Sequence, residues 1–279
     1  MLNVTVWGSR GSIPSSGERF KRHGGATTCL EFELEGASGE TPPRVIIDCG
    51  TGLSELGKCW GDRPLEALML QTHMHWDHVQ GFPFFSPLFN PAANFELWSV
   101  RREGMSLREV LSGQMSGPMF PIGIEIIPAG LDFQDIAPIG TARRGALELS
   151  WTELAHPSGS TAWRLSYNGA TVVFTGDVEL QHDCHDRLIE FATGADILIM
   201  DAQYLPEEYP SRKGFGHSTC TDAVHAALAA EVGALVLTHH DPSHDDDRLD
   251  HKLAMARRVA GSALEVANAR DGLRLQPAA

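Results

Sequence analysis

His73-Met74-His75-Trp76-Asp77-His78 puts four side chains with good metal-binding atoms within six positions. Neutral imidazole and carboxylate are the common ligands of zinc and related divalent cations. In an extended turn, a spacing of two points His73 and His75 the same way. Asp77 and His78, just beyond, can face a second point, so the pattern supplies two cations. Six residues cannot complete two coordination shells, and further ligands must come from elsewhere. Candidates stand where apolar runs end: His156, Asp177 in a Gly-Asp turn, and His239. The ends of apolar strands are where α/β folds carry functional side chains.

Those positions need strands to carry them. Runs at 3–7, 28–34, 44–47 and 65–71 read as strands, the last leading into Thr72-His73. Later, 147–154 leads to Ala155-His156-Pro157. Residues 162–167 and 170–174 flank Asn168-Gly169, a strong hairpin signal, and the second run leads to Gly176-Asp177. The run 196–200 leads to Asp201, and 234–237 to Thr238-His239-His240. Residues 219–231 are Ala-rich with helical spacing, and 247–260 reads as a terminal helix with basic residues late in it, as the dipole prefers. From Gly81 to about Pro128 the periodicity is weak and no element is assigned. The Pro- and Gly-bearing segment near 128–145 is the best internal boundary, dividing one domain spanning 1–279 at about 1–140 and 141–279. Strands alternate with helices in both halves, so the class is mixed α/β.

Composition narrows the setting. The 279 residues carry 22 Lys+Arg against 36 Asp+Glu, a net charge of −14, with 13 histidines. A chain of this length buries a full core without disulfide or metal support. No basic segment followed by an apolar run opens the sequence, so no signal peptide is expected, and no apolar stretch reaches the roughly 18 residues of a membrane helix. Five cysteines, odd in number and without a C-x-x-C pair, read as reduced thiols of a cytoplasmic protein. The acidic balance argues against a long nucleic acid as partner, because no basic footprint is present to displace counterions. A small anionic ligand stays open, since a local cation overrides the global field.

The set H-x-H-x-D-H, then His, Asp and His, resembles the metallo-β-lactamase superfamily of dinuclear metal hydrolases over essentially the whole chain. The resemblance implies a four-layer αββα sandwich with two similar halves and the metals at the edge between the sheets. It implies His73, His75 and His156 as ligands of one ion, Asp77, His78 and His239 of the other, and Asp177 as the bridging carboxylate. Asp48, in Asp48-Cys49-Gly50-Thr51-Gly52, matches an early Asp-x-Gly strand end that would brace the histidine loop. His240 competes with His239; the family's Leu-Thr-His pattern favours His239. Zinc is the first expectation for both ions, with manganese or iron as alternatives.

Gly214-Phe215-Gly216-His217-Ser218-Thr219, opening an Ala-rich helix, resembles the phosphodiesterase branch, which includes transfer-RNA 3′-endonucleases and small-molecule cyclic phosphodiesterases. There an upstream carboxylate pairs with this histidine. The endonucleases carry His-Glu-Ala-Thr where this chain has Met200-Asp201-Ala202-Gln203, so Asp201 takes the place of the glutamate. The segments Trp7–Pro14, His23–Cys29, Gly81–Phe85 and His239–Pro242 resemble a bacterial subgroup of metal-dependent hydrolases. No basic Gly-rich arm for gripping transfer RNA is present.

The expected function is hydrolysis of a small phosphodiester, a cyclic nucleotide among the candidates, by a hydroxide bridging two metals. Asp77 would bind metal and orient that hydroxide, and His217, held by Asp201, would protonate the leaving alkoxide or hold a phosphate oxygen. A thioester, lactone or β-lactam hydrolase on the same metals is the alternative, and an RNA-processing nuclease a further one. A homodimer would suit a protein of this kind, though no residue points to it; no membrane partner is expected. Arg10 is a candidate phosphate contact, equally a surface arginine. Phe82, Phe84 and Phe85 read as core more than as a base-stacking platform. His182, His185, His225, His244 and His251 read as solvated, and Asp245-Asp246-Asp247 as a helix N-terminus.

Overall fold

Period-two burial explains why so many strands read as continuous apolar runs. In β4 (Glu66–Leu70), Leu68 and Leu70 face one apolar layer while Ala67 and Met69 face another. In β11 (Ile197–Asp201), Ile197 and Ile199 share the layer of Leu68, and Leu198 and Met200 face away from it. A strand covered on both faces cannot alternate apolar with polar, so its pattern collapses into an unbroken run.

The computed structural model describes residues 1–61, 65–180 and 182–277; the side chains of His182 and Asp183 lie outside the described set. Among the described residues, fourteen strands form two seven-stranded sheets. The first contains β1 (Leu2–Gly8), β2 (Cys29–Leu34), β3 (Arg44–Ile47), β4, β5 (Asn94–Val100) and β6 (Gly130–Ile136), with β14 (Leu273–Leu275) added beside β1. The second runs β13 (Glu265–Asn268), β12 (Ala234–Thr238), β11, β10 (Ala170–Phe174), β9 (Ser160–Tyr167), β8 (Leu147–Leu154), β7 (Gly140–Arg144). Val4, Val6 and Phe32 meet Trp163, Leu165 and Val172 between the sheets. Helices α1 (Gly52–Trp60) and α3 (Leu107–Gln114) cover the outer face of the first sheet through Leu53, Leu56 and Leu111. Helices α4 (His182–Ala192), α5 (Cys220–Ala229) and α6 (Asp246–Ala260) cover the second through Leu188, Val224 and Ala256. The layering is αββα, the sandwich the family resemblance implies.

Several elements lie where the sequence pattern is weak. β5 and α3 fall in the stretch to which no element is assigned. The missed signal for α3 is its capping box: the Ser106 hydroxyl accepts from the Glu109 amide, and the Glu109 carboxylate accepts from the Ser106 amide. Helix α1 carries Leu53, Leu56 and Trp60 at helical spacing, another signal not taken up. The segment near 128–145 holds two edge strands, β6 and β7, and the chain passes from one sheet to the other between them. It crosses back for β14, which pairs antiparallel with β1 through Val4 and Leu275. The hairpin at Asn168-Gly169 is present, with positive φ at both residues (51° and 88°), as a two-residue turn of this hand demands.

The parallel strands place the chemistry. β3 and β4 run parallel in one sheet, and β10, β11 and β12 in the other. Asp48, His73, Asp177, Asp201 and His239 all stand at or just beyond the C-terminal ends of these strands, the usual seat of function in α/β sheets.

Candidate metal centre

The histidine run leaves β4 and turns into a single helical turn, α2 (Trp76–Val79), with His75 at its N-cap. Gln71 fixes the turn: its Nε2 donates to the carbonyls of His73 (2.7 Å) and His78 (3.0 Å). Asp48, buried and with a positive φ of 64°, braces it from β3. Its carboxylate accepts from the Thr72 amide (2.8 Å) and hydroxyl, and lies 2.8 Å from His78 Nδ1. With Nδ1 held by a carboxylate, His78 presents Nε2 inward.

Side chains from the second sheet close on this turn. His73, His75, His156 and Asp177 bring four potential ligand atoms within 4.8 Å of one another, and so do Asp77, His78, Asp177 and His239. Asp177 belongs to both groups, with Oδ2 3.4 Å from His73 Nε2 and Oδ1 3.3 Å from His78 Nε2 and 3.2 Å from His239 Nε2. His156 Nε2 lies 3.0 Å from His75 Nδ1, and His239 Nε2 lies 3.1 Å from Asp77 Oδ2. The structure thus brings together all seven side chains singled out as ligands. His240, one residue on, turns away: its Nε2 meets the Ala269 carbonyl at 3.0 Å.

The donor set fits a pair of divalent cations. His73 Nε2 and Asp177 Oδ1 are buried polar atoms with no hydrogen-bond partner, and both point into the cluster. Orphaned buried groups of this kind are rare, and a coordinated ion satisfies them. Electrostatics agree. Burial pushes His73 well below its usual range and His156 down to about 4, keeping both neutral as ligation requires. Burial opposes a charge on His78 too, but Asp177, Asp77 and Asp48 outweigh it and hold its pKa well above the ordinary value. Burial likewise works against an ionised Asp77, and His78 and His239 overcome it, so the carboxyl sits well below its usual range. These carboxylates hold positive charge where a cation would sit.

Supports from distant loops complete the geometry, and none of them is evident in the sequence. Gln203 Oε1 lies 2.9 Å from His239 Nδ1, and the Gly216 carbonyl 2.9 Å from His156 Nδ1. The Ser12 amide donates to Asp77 Oδ2 at 2.7 Å. Two glycines permit these approaches: a Cβ on Gly11 would lie 2.4 Å from the His239 ring, and one on Gly216, whose φ is +94°, would lie 2.3 Å from the His156 ring.

His217 joins the cluster from the loop just before α5. Its Nδ1 lies 2.8 Å from Asp201 Oδ2, and its ring stacks on His239 at 4.8 Å between centroids. Burial works against protonation, but Asp201 prevails and raises His217 to about 9. Asp201 is fully buried and also accepts from the Val178 and Gln203 amides, so it positions His217 and does not face the cluster mouth.

Three expectations are corrected. Arg10 is fully buried and donates to the carbonyls of Gly24, Asp241 and His244, so its guanidinium fastens loops and does not reach a phosphate. Phe82 and Phe85 are core, whereas Phe84 is exposed against Phe120. His244 is buried, with Nε2 3.0 Å from Glu208, and is not solvated. His225 and His251 are exposed and His185 half-buried; the His182 side chain lies outside the described residues. Asp245 is the N-cap of α6, its carboxylate accepting from the Arg248 amide.

Residues 43–240 match the family model described as the beta-lactamase superfamily domain. The chain belongs to the beta-lactamase superfamily. This superfamily member is 26% identical to a ribonuclease Z of Bradyrhizobium sp. (strain ORS 278) over 93% of its own length and 95% of the relative's. It is 27% identical to the probable metallo-hydrolase YhfI of Bacillus subtilis over 90% of its length and 93% of the relative's. The crystal structure of YhfI superposes with a TM-score of 0.73 at 22% identity, covering 98% of both chains. That of the short form of human tRNase Z superposes with a TM-score of 0.72 at 19% identity, covering 99% of this chain and 100% of the other. Together with the family match and the curated relatives, the donor cluster marks this member as a metal-dependent hydrolase.

Proposed function

We propose that this chain is a phosphodiesterase acting on small phosphodiesters through two divalent metal ions, with cyclic nucleotides among the candidate substrates. His73, His75 and His156 would hold one ion, Asp77, His78 and His239 the other, and Asp177 both. Zinc suits the imidazole-rich set best, with manganese or iron as alternatives. The bound ions would supply neutralisation of phosphate charge and an activated water. The observation that carries the reading is the Asp201–His217 pair beside the ligands. With Nδ1 committed to Asp201, His217 has Nε2 free to donate a proton to the leaving oxygen. Asp77, fixed by the Ser12 amide, would orient the attacking water.

The small size of the substrate is inferred from charge and surface. The net charge of −14 opposes a long polyanion. Exposed Ile13, Trp76 and Phe215 each sit one residue from a group that touches the ligand set, namely Ser12, His75 and Gly216. Such side chains would pack against an aryl group or a nucleobase. A second reading, RNA processing, draws on the ribonuclease Z relative; steep salt dependence of RNA binding would favour it. Thioesters and lactones need the metals but not the Asp201–His217 pair.

Hydrolysis of a bis-aryl phosphodiester by zinc- or manganese-loaded protein, run beside His217→Ala, tests the reading. The variant should lose about a hundredfold or more in turnover with metal content unchanged. Equal turnover in the two proteins would remove His217 from the chemistry. Inactivity of both would redirect the search to thioesters and lactones.

A further inference from the structure

Glu179 lies two residues beyond Asp177 and is 2% exposed. Its carboxylate takes no part in the ligand cluster. Among the described residues, its carboxylate accepts from Tyr209, Gly214 and Gly216, on a stretch of chain that is exposed over Pro210–Phe215. The Gly214 amide donates to both oxygens at 2.8 and 3.0 Å, the Gly216 amide to Oε2 at 2.9 Å, and the Tyr209 hydroxyl to Oε1 at 2.7 Å. Pro210–Phe215 is exposed throughout, and the chain turns inward at Gly216. Gly214 and Gly216 both have positive φ, 88° and 94°, so the backbone there is held in a conformation few other residues adopt.

Two groups of the candidate site hang from this stretch. The Gly216 carbonyl meets His156 Nδ1 at 2.9 Å, and the next residue is His217. The same peptide that donates to Glu179 through its amide therefore belongs to the residue that orients a ligand and adjoins the acid. Without the carboxylate, two amides and a hydroxyl lose a charged acceptor, while the strap's other ties among the described residues include the Gly216 carbonyl at His156 and Arg212 over the Tyr204 ring at 5.6 Å.

The geometry points to Glu179 as a positioning residue: a latch that clamps the strap 209–216 and, through it, sets both His156 and His217. This rests on the phosphodiesterase reading for the His217 part and stands apart from it for the His156 part.

The test uses zinc-loaded full-length protein, wild type beside Glu179→Gln, with Tyr209→Phe as a milder variant should the first fail to fold. Three readouts are compared. Tryptic cleavage after Arg212 or Lys213 should rise about tenfold or more as the strap opens more often. Zinc affinity, by chelator competition, should fall about tenfold or more as His156 loses its orienting carbonyl. Hydrolysis of methyl phenyl phosphate should fall about tenfold further than that of methyl p-nitrophenyl phosphate, because only the poorer leaving group depends on a well-placed acid. Tyr209→Phe should move all three the same way by less. Unchanged cleavage and unchanged affinity would overturn the latch. Looser cleavage with an equal loss on both esters and intact zinc affinity would reduce Glu179 to a structural anchor and overturn the positioning role. Wild type inactive on both esters would sink the phosphodiesterase reading alone, and zinc affinity would then decide the latch.

Discussion

The two halves of the chain deliver their candidate ligands by different means. The first half supplies four in one run, His73 to His78, held by neighbours on the same sheet: Asp48, Thr72 and Gln71. The second half supplies His156, Asp177 and His239 singly, from three strand ends spread over more than eighty residues. Its supports are a backbone carbonyl at Gly216 and the side chain of Gln203. The first arrangement is a local turn with several bonds converging on one carboxylate. The second is an assembly in which His156 and His239 each have one brace, drawn from a different loop. A local turn keeps its geometry whenever the turn forms, while the assembly depends on every loop being in place.

Removing the residue that both groups share should break both at once. Asp177→Ala is expected to drop bound zinc from about two ions per chain to fewer than one, measured by elemental analysis of dialysed protein. Retention of two ions would mean that the halves hold metal independently. The braces allow a finer comparison. Asp48→Asn weakens a carboxylate that faces His78 and Thr72 together, and zinc affinity should fall about a hundredfold; Gln203→Leu, which removes one contact to His239, should cost about tenfold. Chelator titrations that rank the two the other way would refute the contrast drawn above.

The smallest expected effect concerns charge. In metal-free protein His217 is raised to about 9, so the native state binds its proton more tightly than the unfolded chain does. The resulting stability is fully present below the unfolded value of about 6.5 and is lost as pH rises through about 9. The gap in Tm between metal-free wild type and His217→Gln should therefore be wide at pH 6 and close by pH 10. A gap that widens with pH would reverse the assignment of charge to this pair.

The contrast between halves also explains what could be read from sequence. The first-half candidate ligands were legible because contiguity concentrates the signal: H-x-H-x-D-H stands out of any background. His156, Asp177 and His239 were legible only as polar residues ending apolar runs, and the family pattern was needed to group them. Their braces carry no such mark. Gln203 and Glu179 are ordinary polar residues until the loops fold over, and Gly216 acts through a carbonyl that every residue has. Arg10 shows the reverse error, since an arginine in a Gly- and Ser-rich loop looks available to solvent, yet it is buried, with its Nε and Nη1 bonded to three backbone carbonyls. Among the elements, β5 was obscured by Asn94 and Glu96 at a position where Glu96 pairs with Arg144 across the sheets.

The return of the chain for β14 has a bearing on biogenesis. Val4 emerges from the ribosome some 270 residues before its partner Leu275. For that interval β1, an apolar strand, offers a bare row of amides and carbonyls along one side. Unpaired edges of this sort recruit other copies of the same strand. Damage to the short β14 would therefore be felt less in catalysis than in yield, as nascent or heated chains cross-pair before the missing strand can cap them.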